Sequence, residues 1–203
     1  MPMDLTRPLR CAPICHAPAG PGRPRGFDRD AAAASMAGVF QRRGYEGASL
    51  SELIDAAGLA KSSFYCCFQS KRGALLAAVE AYSKGSIARL EAVAGDRTGP
   101  EAALAILSAV ARAPIAQGGC FAINAAAELA GDDPETAAAL SAHFRALERL
   151  VAARLSPEDP GAAMPKAAAL MALAIGALTL RKAGMGDGAA DDAMEAAAAL
   201  LST

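Results

Sequence analysis

At 203 residues the chain can bury a real core, as one large domain or two small ones, and 53% hydrophobic content with 4% aromatics and no Trp excludes a sheet-rich fold in favour of helices packed through small side chains. Five cysteines with no secretory signal ahead of them and no regular spacing exclude a disulfide scaffold and point to a reducing cytoplasm. Net charge is only -1, yet residues 1 to 72 carry ten Lys/Arg against six Asp/Glu, and the rest ten against fifteen, so a basic head sits on an acidic body, which suits contact with phosphates at one end.

Residues 1 to 26 hold six of the twelve prolines and no helical period, and are expected to be disordered until a partner orders them. Cys11, Cys15 and His16 fall far short of a tetrahedral zinc set. No metal or cofactor is expected. Arg23 and Arg25, just ahead of the first helix, make a flexible basic arm able to reach phosphates or a minor groove. Asp28 is the N-cap of a helix to about Arg43 with Ala32, Met36, Val39 and Phe40 as its buried stripe, and Gly44 closes it. Ser49, followed three residues later by Glu52, is a capping box, so a second helix begins at about Leu50. Leu50, Leu53, Ile54 and Ala57 form its apolar stripe, and Gly58 ends it. A third helix, Lys61 to Phe68, turns Phe64 and Phe68 inward, one turn apart, with Lys61 and Cys67 beside them. Stepping about 100° per residue, Ser62 and Cys66 point most directly outward, with Ser63 and Tyr65 on the shoulders. That face is small and polar enough to enter a major groove. Two short helices across a Gly-containing turn have the sequence form of a DNA-reading helix-turn-helix.

Ser70 caps the next helix, whose first turn places Lys71 beside free N–H groups as a phosphate clamp; it runs to about Ala94. Gly95 to Pro100 is a break, and Pro100 starts a helix ending near Ala113 and Pro114. Gly118 and Gly119 precede a helix from about Cys120 to Ala130, and Asp133 and Pro134 start a long one reaching Leu155. After the loop at 156–161 come two final helices, about Ala162 to Ala183 and Ala189 to Leu201. The longest apolar run, Ala167 to Leu180, is shorter than the roughly 20 residues of a membrane span. No transmembrane segment is expected. With nine or so helices and no strand, the fold class is all-α.

Taken together, GRPRGFD and then VFQRRGYEGASLSELIDAAGLAKSSFYCCFQSKRGALL resemble the N-terminal domain of a TetR-family transcriptional regulator, from Gly22 to about Tyr82. The resemblance rests on Phe40, Gly44 and Tyr45, the Ser49 cap, the Ala57-Gly58 turn, the Phe64-Tyr65 pair and Lys71, at their mutual intervals. It implies a three-helix DNA-binding domain with a helix-turn-helix over 27–72, preceded by the arm at 1–26. A helical ligand-binding and dimerisation domain follows over 73–203. It further implies a homodimer that reads a palindromic double-stranded DNA operator, usually as a repressor, and a small-molecule effector that releases it. Ser62 and Cys66 are the expected base-edge residues. Lys61, Ser63, Tyr65 and Lys71 belong on phosphates, with Arg23, Arg25, Tyr45 and Ser49 completing the DNA-binding set. The chain departs from the family pattern in three places. Ala60 forgoes a cap of about 1 kcal/mol, Cys66 and Cys67 stand where His, Ala or Tyr are usual, and Gly73 weakens its helix by roughly 1 kcal/mol relative to Ala.

In the body, GGCFAINAAAEL places Cys120, Asn124 and Glu128 on one helix face. Free N–H groups favour the thiolate of a cysteine at a helix start, so Cys120 is the candidate sensor of electrophiles or oxidants on an effector cavity. The alternative is a small core cysteine. His143, on the long helix, is a further candidate for ligand contact, or else a partly exposed helix histidine. The penultimate helix is apolar nearly all round, with Met164, Ala168, Met171, Ile175 and Leu178 on one stripe and Ala169, Leu173, Gly176 and Leu180 on another. Such a helix is covered on two sides. In TetR-like proteins the last two helices pair with their copies, which assigns Met164, Met171, Leu173, Ile175, Leu178 and Met194 to a dimer interface; a central helix of a monomer core is the alternative. Two other functions compete: a constitutive DNA-binding dimer without ligand, and an enzyme using Cys120 with His143 as base. No phosphate loop or metal set supports the enzyme.

Overall fold

The computed structural model describes residues 28–202, residue 130 excepted. Among them stand nine α-helices and no strand. The head is built from α1 (Arg29–Gly47), α2 (Leu50–Ala57), α3 (Lys61–Phe68) and the first half of α4 (Lys71–Ala94). The body contains α5 (Gly99–Ala111), α6 (Phe121–Leu129), α7 (Pro134–Leu155), α8 (Pro160–Leu180) and α9 (Gly188–Leu201). The expected arm, with Arg23, Arg25, Cys11, Cys15 and His16, lies outside the described residues.

Helix starts follow side-chain caps. Asp28 accepts from the N–H groups of Asp30 and Ala31, Ser70 from Gly73, and Asp133 from Glu135 and Thr136, each satisfying donors that the helix leaves open. Gly44 breaks α1 with φ 72° and ψ 177°, and Gly58 closes α2 in the left-handed region. The eighth helix begins two residues earlier than its periodicity implies. Asp159 caps the N–H of Ala162, and Pro160 sits at the first turn, where its missing N–H costs nothing.

Two hydrophobic clusters fill the molecule. The head cluster gathers Met36, Phe40, Leu53, Phe64, Phe68 and Leu75 from α1 to α4, but also Phe121, Ala122 and Ala125 of α6 and Leu140 of α7. A boundary at residue 72 therefore runs through this packing. The body cluster is formed by the second half of α4 with α5, α7, α8 and α9. Among the described residues, α8 with the π-helical turn Arg181–Met185 that follows it is long and apolar enough to cross a membrane by length and composition. In the fold one side of it is buried, with Ala167, Leu170, Met171 and Ala174 against α5, α7 and α9. The expectation that no such segment exists took in only the run to Leu180.

Candidate nucleic-acid interface and the adjoining cavity

The helix-turn-helix is set by its first cap. Ser49 Oγ accepts the Glu52 N–H at 3.1 Å, and Glu52 Oε2 accepts the Ser49 N–H at 2.9 Å, so the capping box is closed in both directions. These bonds, with Arg43 at 3.3 Å, hold the Glu52 carboxyl below its usual range. Ser49 thus serves first as a structural cap, with its own O–H left to donate. On α3, Phe64 and Phe68 are buried while Lys61, Ser62, Ser63, Tyr65 and Cys66 are exposed. The ring of Tyr65 meets Phe64 edge-on at 5.8 Å. Ala60 makes no side-chain cap. What fixes the helix is its buried rings.

The end of α3 is held by a tight junction. Gln69 takes φ 64°, a positive value for a residue with a β-carbon, and its N–H bonds the Tyr65 carbonyl. At Gly73 a β-carbon would collide with the Phe68 carbonyl oxygen. Gly73 is therefore the residue that lets α4 approach α3, a role that stands beside the helix cost expected of it.

Tyr45 and Lys71 meet beside this face. The Lys71 ammonium lies 4.7 Å from the centre of the Tyr45 ring and donates to the Glu46 carbonyl at 3.3 Å. Burial, aided by Glu46, pushes the Tyr45 phenol up. One exposed basic residue of the head is engaged by carboxylates of the body. Arg72 binds Asp133 at 2.5 and 2.7 Å and Glu135 at 2.7 Å, joining α4 to the start of α7. The guanidinium holds the Asp133 carboxyl well below the carboxylate range. This clamp was not foreseen in the sequence, where Arg72 counts only as one more positive charge.

Behind the head, α6 and the end of α8 flank a cavity, open to solvent, of about 380 Å³ lined by Cys120, Ile123, Asn124, Glu128, Leu178, Thr179 and Lys182. Cys120, Asn124 and Glu128 line it together, as their spacing of four predicts. Cys120 sits directly ahead of α6, its carbonyl accepting the Asn124 N–H and its sulfur accepting from Tyr82 Oη at 3.3 Å. Burial, with this sulfur alongside, raises the Tyr82 phenol above its usual range. Asn124 donates to the Gly118 carbonyl at 2.8 Å and accepts from Lys182 Nζ at 2.5 Å. Lys182 reaches Asn124 across 58 positions, a pairing that no local pattern in the sequence announces. Glu128 turns the other way as well, accepting the backbone N–H groups of Tyr45 and Glu46 at 2.8 Å each.

His143 does not join this cavity. It is 2% exposed, its Nδ1 lies 3.0 Å from Ser83 Oγ, and the rings of Tyr82 and Phe144 flank it. Burial pushes its pKa down to about 4. The expected contact with a ligand in this cavity, and the partly exposed alternative, both give way to a buried neutral histidine, whose Nε2 has no hydrogen-bond partner among the described residues. Among the residues expected at a dimer interface, Met171 and Leu178 are each 2% exposed. They belong to the protomer's own core and cannot meet a partner. Met164, Leu173, Ile175 and Met194 are partly buried against the body core, while Leu180, Met185 and Leu200 are 45%, 64% and 50% exposed.

Residues 31–79 match the model of bacterial regulatory proteins of the tetR family. The HTH-type transcriptional regulator YezE of Bacillus subtilis is 32% identical over 131 residues, covering 63% of this chain and 68% of YezE. The chain belongs to the TetR family. Another relative of this TetR-family protein is the HTH-type transcriptional repressor ComR of Escherichia coli, 33% identical over 133 residues; the match spans 63% of each chain. Among solved structures, a cysteine mutant of the TetR-family regulator CifR, bound to a 26-bp double-strand operator, superposes with a TM-score of 0.67 at 28% identity. That superposition covers 87% of this chain and 98% of CifR.

Proposed function

We propose that the protein is a cytoplasmic DNA-binding transcriptional repressor that binds a palindromic operator as a homodimer and is released by a small-molecule or electrophile effector. The observation that carries the DNA reading is the α3 face: Lys61, Ser62, Ser63, Tyr65 and Cys66 stand exposed over two buried rings, behind a closed capping box. The operator complex of CifR, a relative in fold and sequence, supports it. Ser62 and Cys66 contact base edges, where neither can make an arginine–guanine fork. Tyr45, Lys61, Ser63, Tyr65 and Lys71 sit on phosphates, with Arg23 and Arg25 reaching from the arm. Specificity then rests on thymine-methyl contacts, DNA shape and the spacing of two half-sites.

The dimer uses the outer faces of α8 and α9, where Leu180 and Leu200 are exposed, flanked by Leu173 and Met194. The effector enters the α6/α8 cavity, with Cys120 as the reactive group and Asn124, Glu128 and Lys182 as its polar walls. Selection from random duplexes supplies the operator. Lys71→Ala is then expected to weaken binding uniformly across sequences and to lower the salt slope by about 1. Iodoacetamide is expected to release the wild type and leave Cys120→Ser bound. Equal release of both ends the electrophile reading, and sequence-independent binding by the wild type ends the operator reading.

A further inference from the structure

Among the described residues, Glu128 is the side chain that lines the α6/α8 cavity and also bonds the backbone of the head. Its two carboxylate oxygens take separate amides, Oε2 that of Tyr45 and Oε1 that of Glu46, both at 2.8 Å. Such charge-assisted pairs are about twice as strong as neutral hydrogen bonds. The approach is possible because residue 44 is glycine: a β-carbon there would lie 2.9 Å from Glu128 Oε2, and the backbone is at φ 72°. Gly44 therefore both ends α1 and admits the carboxylate.

The turn held in this way also seats the phosphate-side lysine. Tyr45 supplies the ring under the Lys71 ammonium, and Glu46 supplies the carbonyl that Lys71 donates to. At its other end α6 is pinned to α1, with Gln41 Nε2 donating to the Gly119 carbonyl at 2.6 Å and Phe121 stacked on Phe40 at 6.3 Å. A shift of α6 about that pinned end moves Glu128. Exposure of Glu128 leaves its carboxylate within reach of a ligand in the cavity.

We propose that Glu128 is the positioning residue through which the cavity governs the reading head. With the carboxylate seated on the Tyr45 and Glu46 amides, the Gly44–Glu46 turn is fixed and Lys71 is held for DNA. A ligand or thiol adduct that tilts α6, or that competes for the carboxylate with its own donors, returns both amides to solvent and loosens the turn. The cavity's role as effector site is taken from the function proposed above; the latch itself is a statement about residues 44–46, 71 and 128.

The test uses the full chain with Glu128→Ala and the near-isosteric Glu128→Gln in parallel, so that a folding defect in one leaves the other to decide. Amide hydrogen exchange at Tyr45 and Glu46 is expected to quicken by about tenfold or more in Glu128→Ala, the scale of a lost charged hydrogen bond, with α7 and α8 unchanged. Operator binding weakens by a similar factor, and Glu128→Gln falls between. Alkylation by iodoacetamide, with Cys120→Ser as the blank for other sites, shifts operator affinity in the wild type and much less in Glu128→Ala. Unchanged exchange at residues 45 and 46 in both variants overturns the latch, as does an alkylation shift in Glu128→Ala equal to that of the wild type. If alkylation leaves the wild type unmoved, the electrophile reading fails by itself and exchange at 45 and 46 still decides the latch.

Discussion

The two cores are filled with different material. Four phenylalanines, Phe40, Phe64, Phe68 and Phe121, are buried in the head cluster, whereas none of the twenty buried residues in the body cluster is aromatic; alanine is common in both, nine of nineteen in the head and eleven of twenty in the body. The contrast follows from helix length. At eight residues each, α2 and α3 are too short to be stable alone, so large rings of definite shape must orient them. The body's α7 and α8, at 22 and 21 residues, can lie close along their length through small side chains. Orientation in the head is thus set by a few rings, and one of them, Phe121, comes from α6.

The sharpest way to break this contrast is Phe121→Ala against Met171→Ala, one buried residue from each core. Phe121→Ala is expected to cost about 3–5 kcal/mol and to loosen the head on α6, reducing operator affinity in the folded fraction. Met171→Ala is expected to cost about 2–5 kcal/mol with affinity retained in the folded fraction. Denaturant melts paired with DNA titration separate the two.

A smaller effect is expected where the cores meet, at His143, beside Phe144, which packs against both clusters. Its folded pKa of about 4 lies below the 6.5 of a solvated imidazole, so as pH falls the unfolded chain takes the proton first. Stability is then fully present above pH 6.5 and is lost as pH falls toward 4, by about 2 kcal/mol between pH 7 and pH 5. Melting of the wild type and of His143→Gln at the two pH values checks it, since the variant should lose this part of the dependence. The smallest expected effect is Ser49→Ala, about 1 kcal/mol, read as a lowered midpoint in the same melts with the body helices unaffected in hydrogen exchange.

Much of the fold was legible because it was written locally. Asp28, Ser49, Ser70 and Asp133 each cap the helix that their position announces, and the inward rings of α3 follow from a spacing of four. What was illegible depends on pairs far apart in sequence. Periodicity placed Met171 and Leu178 on a stripe of α8 but could not say that the stripe faces the protomer's own core. His143 was ambiguous because its burial is made by Tyr82, Ser83 and Phe144, two of them on another helix. For Glu128, helical spacing gave the cavity face, while its bonds to the head cross more than 80 residues of chain.

The absence of room at Gly73 has a consequence for redesign. Because a side chain at position 73 would collide with the last carbonyl of α3, the close seat of α4 on α3 depends on glycine there, and the exposed face of α3 owes its orientation in part to a residue that is not on it. A library built to change operator preference can randomise Ser62, Tyr65 and Cys66, which are exposed. It must leave position 73 as it is.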